Sequence, residues 1–519
     1  MYDFKQIETE ARKIWKKHEK EIKKALQDDK KKKLFSFLEG PPTANAPPGL
    51  HHLEVRTFKD VICKFRYMKG FSVPRKGGWD CHGLPVEVQI EKKLGLNSKK
   101  EILNYGEEKF IKQCKESVFS NISDWNKSTE ELGYWIDLKN PYATLNNDYI
   151  ESVWWSLKEL YNKKLLYESY KVVPFCPRCQ TPLSSHEVSQ GYENVEEDSV
   201  AVKFKLKGEN AYLLVWTTTP WTLPSNLAIA VNPKLDYNFI NDNGWIYIIA
   251  KELVKKYFDN PKIIKTIKGK ELIGKEYEPL FDYFKDLKGA FKILGGDFVT
   301  IEEGTGIVHM APAFGEVDYD ACKENKIPFV QPVDESGKFT KEIPEYEGKF
   351  IKDTDKMIIA KLDNEDKLFK VIKYIHDYPF CWRCSTPLMY YAIKSWFIKV
   401  TSVKKRMVEL NKKINWYPEH IKEGRFGVWL DGIKDWSLSR FKFWGTPLPI
   451  WRCKCGEEKI IGSVEELKKN SIKKFKDYDL HRPWIDDIKL KCKCRKEMTR
   501  IPDVIDCWYD SGSAIFAQF

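Results

Sequence analysis

The chain has 519 residues, too many for one hydrophobic core, so roughly two to four domains are expected. With 42% hydrophobic and 31% charged residues it fits a soluble folded protein, and it holds no apolar run long enough (about 18 residues) to cross a membrane. A formal charge of +12 permits a polyanionic partner, but the lysines are scattered and carry little on their own.

Residues 1–33 read as a charged helix with Phe4, Ile7, Ile14 and Ile22 among its apolar positions. The start MYDFKQIETEARKIW is acidic and amphipathic rather than signal-like, so a cytoplasmic location is expected. Lysines at 13, 16, 17, 23, 24 and 30–33 read as a solvated face rather than an RNA patch. The run KKLFSFL reads as a buried strand ending at a Gly-Pro turn, and Pro41, Pro42, Pro47, Pro48 and Gly49 then forbid regular structure. A helix is predicted from near His51, with Leu53, Phe58, Val61, Ile62 and Phe65 along one face. Strand, rigid loop and helix N-terminus together offer free backbone N–H groups to a phosphate. His51 and His52 sit at that N-terminus, where a ring nitrogen can donate to a phosphate oxygen; a surface pair or helix cap is the plainer reading.

KGFSVPRKGGWD reads as a strand returning to the same end, and residues 98–168 as mostly helical. Trp154 and Trp155, at helical spacing with Leu157, Leu160 and Leu165, read as core rather than as base-stacking platforms. From about 190 to 370 short β-rich runs separated by Asn, Gly, Asp and Pro turns read as a compact inserted domain. It is flanked by two near copies of a knuckle, FCPRCQTPL and FCWRCSTPL. An aromatic strand, KSWFIKV, a basic helical region and DVIDCWYDSGSAIFAQF complete the chain.

Eight of the thirteen cysteines fall in four close pairs, and in a reducing compartment metal accounts for them better than disulfides. Cys176 with Cys179, and Cys381 with Cys384, are C-x-x-C pairs that together supply the four thiolates of a closed structural zinc site. A redox dithiol would need only one pair. Cys453 with Cys455, and Cys492 with Cys494, have the less usual C-x-C spacing, which alone leaves the question open. Cys63, Cys81, Cys114, Cys322 and Cys507 read as small buried hydrophobes.

The block EGPPTANAPPGLHH resembles the N-terminal signature of class I aminoacyl-tRNA synthetases, and GGWDCHGLPVE that of their isoleucyl members. Similar motifs recur from residue 35 to residue 519. The family signature ends in His-x-Gly-His, which cradles ATP and steadies the adenylation transition state. Here Gly49, Leu50, His51 and His52 stand there: His52 keeps the last position, Gly49 replaces the first His, and the family's Asn-Gly is Asn45-Ala46. The resemblance implies an α/β fold, a Rossmann-like nucleotide-binding domain interrupted by a β-rich editing domain and small zinc modules. It implies ATP, with Mg2+, at Asn45, Gly49 and His52, a catalytic role for His51 and His52, the substrate ammonium at Asp80, and an isoleucine pocket walled by Pro41 and Trp508. On residue chemistry alone, Asp80 is also a turn residue and Trp508 also plain core. His82 matches a family histidine to which no step is assigned.

WTTTPWTLPSN and GTGIVHMAPAFGEVDYD resemble the two halves of the family's editing pocket. Thr217, Thr218 and Thr219 would then serve the ester and the attacking water, Asp318 would hold the misplaced amino acid's ammonium group, and His309 would exclude isoleucine. Unassisted, the threonines read as sheet filler and His309 as a half-buried core residue. The resemblance also supports a second zinc site at Cys453, Cys455, Cys492 and Cys494, tRNA(Ile), isoleucine and ATP as partners, and a monomer. The valyl enzyme, or an editing and tRNA-binding fragment without ligase activity, are the competing expectations. The family's KMSKS signature and anticodon-binding region have no counterpart, so the chain is expected to be the front part of a synthetase. The expected partition is an N-terminal helical extension (1–33), the first half of the catalytic domain with the start of the connective region (34–168), and a zinc knuckle (169–189). The editing domain (190–370) follows, then the second knuckle and returning connective region (371–444), the second zinc module (445–495) and the start of the second catalytic half (496–519).

Overall fold

A computed structural model describes residues 3–96, 99–183, 188–382, 384–476 and 478–519. The chain divides into two compact units, one running to Ser169 and resuming at Ser395–Phe519, the other Tyr170–Lys394.

In the first unit, Lys76–Trp79 pairs in parallel with Asp137–Ala143, Gly78 opposite Tyr142 and Trp79 opposite Ala143. Parallel bridges Leu34–Ser72 and Thr43–Asp80 add the preceding segment. Parallel neighbours require long crossovers, and the helices Leu50–Met68 and Glu107–Leu132 occupy them. The first helix starts where Gly49 is extended, and the second stops at Gly133 in a left-handed conformation. This is a Rossmann-like core, as the sequence leads one to expect. Its buried centre includes Trp79, Cys81, Val86, Phe110, Trp125 and Trp444.

Two local expectations are corrected. KKLFSFL is not a buried strand: it makes one bridge at Leu34, and Leu34 and Leu38 are about half exposed while Glu39 is buried. Glu39 is the inward residue because Tyr134 Oη donates to it at 2.7 Å and Lys59 Nζ at 3.2 Å. The apolar face of Leu50–Met68 likewise points outward, with Phe58, Val61, Ile62 and Phe65 all exposed. Its inward face carries Arg56, Asp60 and Cys63, and Arg56 donates to Thr129 Oγ1 at 2.6 Å.

The second unit is built on a nine-stranded sheet. Tyr192–Lys205 runs antiparallel to Leu368–Pro379 on one side and to Tyr212–Thr217 on the other. Tyr212–Thr217 also pairs in parallel with Trp245–Ala250 and with Ile307–Met310, Val308 opposite Trp216. The β-rich insertion anticipated from residue 190 onward is therefore present. Near the C-terminus a small four-stranded sheet, Ile450–Cys453, Glu458–Ile460, Leu490–Lys491 and Glu497–Arg500, carries the C-x-C pairs.

Trp154 is fully buried and its indole N–H donates to Pro447 O at 2.8 Å, as a core residue should, but Trp155 is 54% exposed. Trp154→Ala should therefore cost about 3–5 kcal/mol in urea unfolding, and Trp155→Ala no more than about 0.5 kcal/mol.

Candidate functional site

The loop after Glu39 is pinned to the Glu107–Leu132 helix: Asn121 Nδ2 donates to Ala44 O at 3.0 Å and Trp125 Nε1 to Ala46 O at 2.8 Å. At its end His52 Nδ1 accepts the Gly49 N–H at 3.0 Å. That bond fixes the neutral tautomer, leaving Nε2–H as the ring's donor. Burial, His51 and Arg56 lower the His52 pKa, in that order, so the neutral form holds at pH 7. The His52 ring lies 4.9 Å from that of Trp125 and 3.8 Å from that of His51, which is exposed. Pro41, Asn45 and Gly49 are half-buried in the same loop.

Asp80 follows the Lys76–Trp79 strand and is 5% exposed. Thr43 Oγ1 reaches its Oδ2 at 3.3 Å, while its Oδ1 has no hydrogen-bond partner among the described residues. Burial and, next, the charge of Asp510 push its pKa up to about 7. The loop it heads meets the end of the chain at Gly83, where φ is +99° and an added Cβ would lie 2.6 Å from Cys507 Sγ. The two motifs assigned to amino-acid binding therefore abut. Trp508, one residue further, is 72% exposed, so it is a surface residue and not core.

In the second unit the editing candidates converge at the ends of paired strands. Thr217 and Thr219 hydroxyls lie 3.2 Å apart, Thr219 and Thr222 hydroxyls 3.2 Å apart, and Thr222 Oγ1 lies 2.9 Å from His309 Nε2. Thr218 is half-buried and outside this run. Just past His309, the Ala311 N–H donates to Asp318 Oδ2 at 2.9 Å. Burial pushes Asp318 up to about 6 and His309 down to about 4, so His309 is neutral at pH 7. Sequence reasoning missed Thr222 and Asp355. Thr222 lies inside WTTTPWTLPSN and was legible there; Asp355, which accepts the Trp221 N–H at 2.8 Å and is pushed up to about 7 by burial, carried no signal.

All four cysteine pairs come together as two groups of four, Cys176, Cys179, Cys381 and Cys384, and Cys453, Cys455, Cys492 and Cys494, each with its sulfurs within 4.8 Å of one another. Cys176 and Cys384 sulfurs are 3.5 Å apart, as are those of Cys453 and Cys494. Sulfurs at about 2.3 Å from a tetrahedral ion would be about 3.8 Å apart, so both groups can close around a metal. The isolated Cys63, Cys81, Cys114 and Cys322 are buried, as expected of small hydrophobes, whereas Cys507 is only half-buried.

A parallel strand–loop–helix core, a β-rich insertion between two cysteine knuckles and two four-thiol clusters define a class I synthetase. The chain belongs to the family of tRNA synthetases class I (I, L, M and V), whose pattern it matches over residues 10–519. It is 51% identical over 518 residues to the isoleucine–tRNA ligase of Clostridium acetobutylicum, covering 99% of this chain and 50% of that protein. The isoleucine–tRNA ligase of Clostridium tetani is 50% identical, covering 99% of this chain and 50% of that protein. That of Picrophilus torridus is 49% identical, covering 95% of this chain and 48% of that protein. The chain spans about half the length of the curated relatives it matches.

The buried Asp80 carboxyl generates a prediction. Its folded pKa of about 7 lies above the ordinary aspartate value of 3.8, so it contributes stability at low pH that is lost as pH rises through 7. Asp80→Asn, which keeps the acceptor for Thr43, should match wild type below pH 4 and be more stable above pH 7, by on the order of a few kcal/mol. Chemical denaturation across this pH range reads the difference.

Proposed function

We propose that this chain carries the amino-acid, ATP and editing sites of an isoleucine–tRNA ligase, EC 6.1.1.5. It would bind isoleucine and ATP with Mg2+, serve tRNA(Ile), and hydrolyse misacylated Val-tRNA(Ile), with residues 190–370 as the editing domain. The observation that carries the reading is the unpartnered, buried Asp80 Oδ1 in a motif where the relatives are isoleucine–tRNA ligases. A substrate ammonium group supplies the missing partner and draws the carboxyl to its ionised form.

With the ammonium held at Asp80 and the side chain against Pro41 and Trp508, the isoleucine carboxylate attacks the α-phosphorus of ATP and pyrophosphate leaves. A terminal ribose hydroxyl of tRNA then attacks the adenylate carbonyl, and AMP leaves. The first step needs alignment and positive charge or N–H donors at the phosphate oxygens more than proton transfer. His52 Nε2–H and the loop around Asn45 and Gly49 would donate there, with the exposed His51 ring beside them.

Isoleucine exceeds valine by one methylene, worth only about 1–3 kcal/mol, a range established on enzymes of this very kind. A hydrolytic second site removes the error. Asp318 would anchor the ammonium group of the valyl ester, the hydroxyls of Thr217 and Thr219, with Thr218 beside them, would position ester and water, and neutral His309 would fill the space that isoleucine's side chain needs. The two four-thiol groups would hold structural Zn2+, four thiolates to each ion with no open position. Freshly purified, unchelated protein should contain two zinc ions per chain by elemental analysis; none would refute the assignment.

Deacylation of radiolabelled Val-tRNA(Ile) and Ile-tRNA(Ile) tests the hydrolytic site. Asp318→Ala should lose the anchor, about 1–3 kcal/mol or more, and silence hydrolysis of both esters. His309→Ala should instead admit Ile-tRNA(Ile) and hydrolyse it. Folded Asp318→Ala protein that hydrolyses the valyl ester at the wild-type rate would overturn the assignment.

A further inference from the structure

Behind Asp80 runs a row of four titratable side chains, three of them buried, with no role in the chemistry above. His82 Nδ1 lies 2.9 Å from Asp510 Oδ2, and His82 Nε2 lies 2.8 Å from His481 Nε2. His481 Nδ1 lies 2.5 Å from Asp479 Oδ1, and Lys115 Nζ donates to Asp479 Oδ2 at 2.7 Å. His82, His481 and Asp510 are fully buried, and the His481 ring stacks on Trp444 at 4.8 Å.

The hydrogen count follows from the geometry. Each of the three gaps, Asp510–His82, His82–His481 and His481–Asp479, needs one proton between its heavy atoms. Two neutral imidazoles carry two N–H groups, and carboxylates only accept. A gap without a proton would set two buried lone pairs against each other, which burial makes costly.

We propose that Asp510, His82, His481 and Asp479 together hold three protons, one more than two neutral imidazoles and two carboxylates carry, and that this proton-bridged row positions the Asp80 loop. His82 is the lever, because it stands two residues from Asp80 in the same loop while its ring is held at both ends. The assignment of Asp80 to the substrate ammonium rests on the proposed function; the proton count does not. Facing the row are Asp80, Asp506, Cys507, Tyr149 and Lys115. The carboxylates Asp80 and Asp506 favour keeping the third proton, and Lys115, at the exposed end, opposes it. Burial holds His481 down to about 4 against the opposing hydrogen bond to Asp479, and burial raises Asp510, so the third proton belongs at the Asp510 end of the row.

The sign is fixed by the unfolded chain. Above the ordinary histidine pKa of about 6.5 the two free imidazoles bind two protons and the folded row binds three. Stability therefore falls as pH rises, the folded-to-unfolded ratio dropping about tenfold, or about 1.4 kcal/mol, per pH unit until the row gives up its proton. Asp479→Asn removes the requirement: its amide N–H donates to His481 Nδ1 and its oxygen keeps Lys115, at the loss of the bond that Oδ1 accepts from the His481 backbone N–H at 3.1 Å, and two neutral rings then fill all three gaps. The variant side chain is isosteric and sits at the partly exposed end of the row.

The test is urea unfolding of the full chain between pH 7.5 and 8.5. Wild type should lose about tenfold more of its folded-to-unfolded ratio over this interval than Asp479→Asn. His481→Phe, which keeps the ring on Trp444 but removes both nitrogens, should lose the same pH dependence. Parallel curves for wild type and both variants would overturn the proposal. In calorimetry, isoleucine affinity should weaken over the same interval in wild type and stay flat in Asp479→Asn, which a merely structural contact would not produce. No isoleucine binding to any of the three proteins would count against the substrate reading, and the unfolding curves would still decide the proton count.

Discussion

The contact between the Asp80 loop and the segments near the end of the chain is what the first unit depends on. Trp444 Nε1 donates to Cys81 O at 2.7 Å, His82 meets Asp510, and Gly83 leaves no room for a side chain against Cys507. The His82 and Asp510 partners are 428 positions apart in sequence, with the whole second unit between them. Loop-closure entropy grows only as the logarithm of length, about 0.6 kcal/mol per doubling, so an inserted domain adds little to the cost of that return. The alignment of Asp80 is thus set by residues the chain reaches only after it has built a separate sheet.

What the sequence made legible follows how each feature is encoded. The C-x-x-C pairs were readable because a thiolate site needs a fixed ligand spacing, the C-x-C pairs only with the help of resemblance, and the structure gathers all eight sulfurs into two groups. Asp80, His309 and Asp318 were legible only through resemblance, since a lone Asp near glycines or a lone His in a strand has an ordinary structural use. Thr222 and Asp355 were missed for different reasons. Thr222 was one threonine among several in a quoted motif, whereas Asp355 sits in a surface-like helix, Ile351–Asn364, and meets Trp221 across 134 residues. No local pattern announces such a partner.

The Leu50–Met68 helix shows a further limit. A stripe of apolar residues gives a periodicity but not the direction in which the stripe faces. Here Arg56, Asp60 and Cys63 also recur at helical spacing, and they are the buried set. Their burial is sustainable because each charged group has polar or aromatic partners. Arg56 bonds Thr129 and lies 5.0 Å from the Trp125 ring centre, and Asp60 accepts Lys64 at 2.5 Å and the Trp135 N–H at 3.1 Å. The same Trp125 indole pins the loop at Ala46 and flanks His52, so the charged interior of this helix also supports the loop that leads into it.

Asp80 and Asp318 share one electrostatic device in two unrelated settings. Each carboxyl is raised above its ordinary range by burial, to about 7 and about 6, and each is tied by a bond to a neighbouring loop, Thr43 Oγ1 in one case and the Ala311 N–H in the other. A carboxyl so placed is poorly paired until a cation arrives, and an ammonium group then repays the desolvation. On the proposed reading both sites recognise the one group common to every amino acid, so neither carboxylate can distinguish isoleucine from valine. Discrimination must come from what surrounds each of them: the Pro41 and Trp508 walls beside Asp80, and the Thr217–Thr219–Thr222–His309 run beside Asp318. Because a methylene is worth so little in a pocket that accepts the smaller side chain, the two surroundings must select in opposite senses, one by filling with the larger side chain and the other by refusing it. A neutral imidazole held by Thr222 suits refusal, since it occupies volume without adding a charge that would compete with Asp318 for the ammonium group.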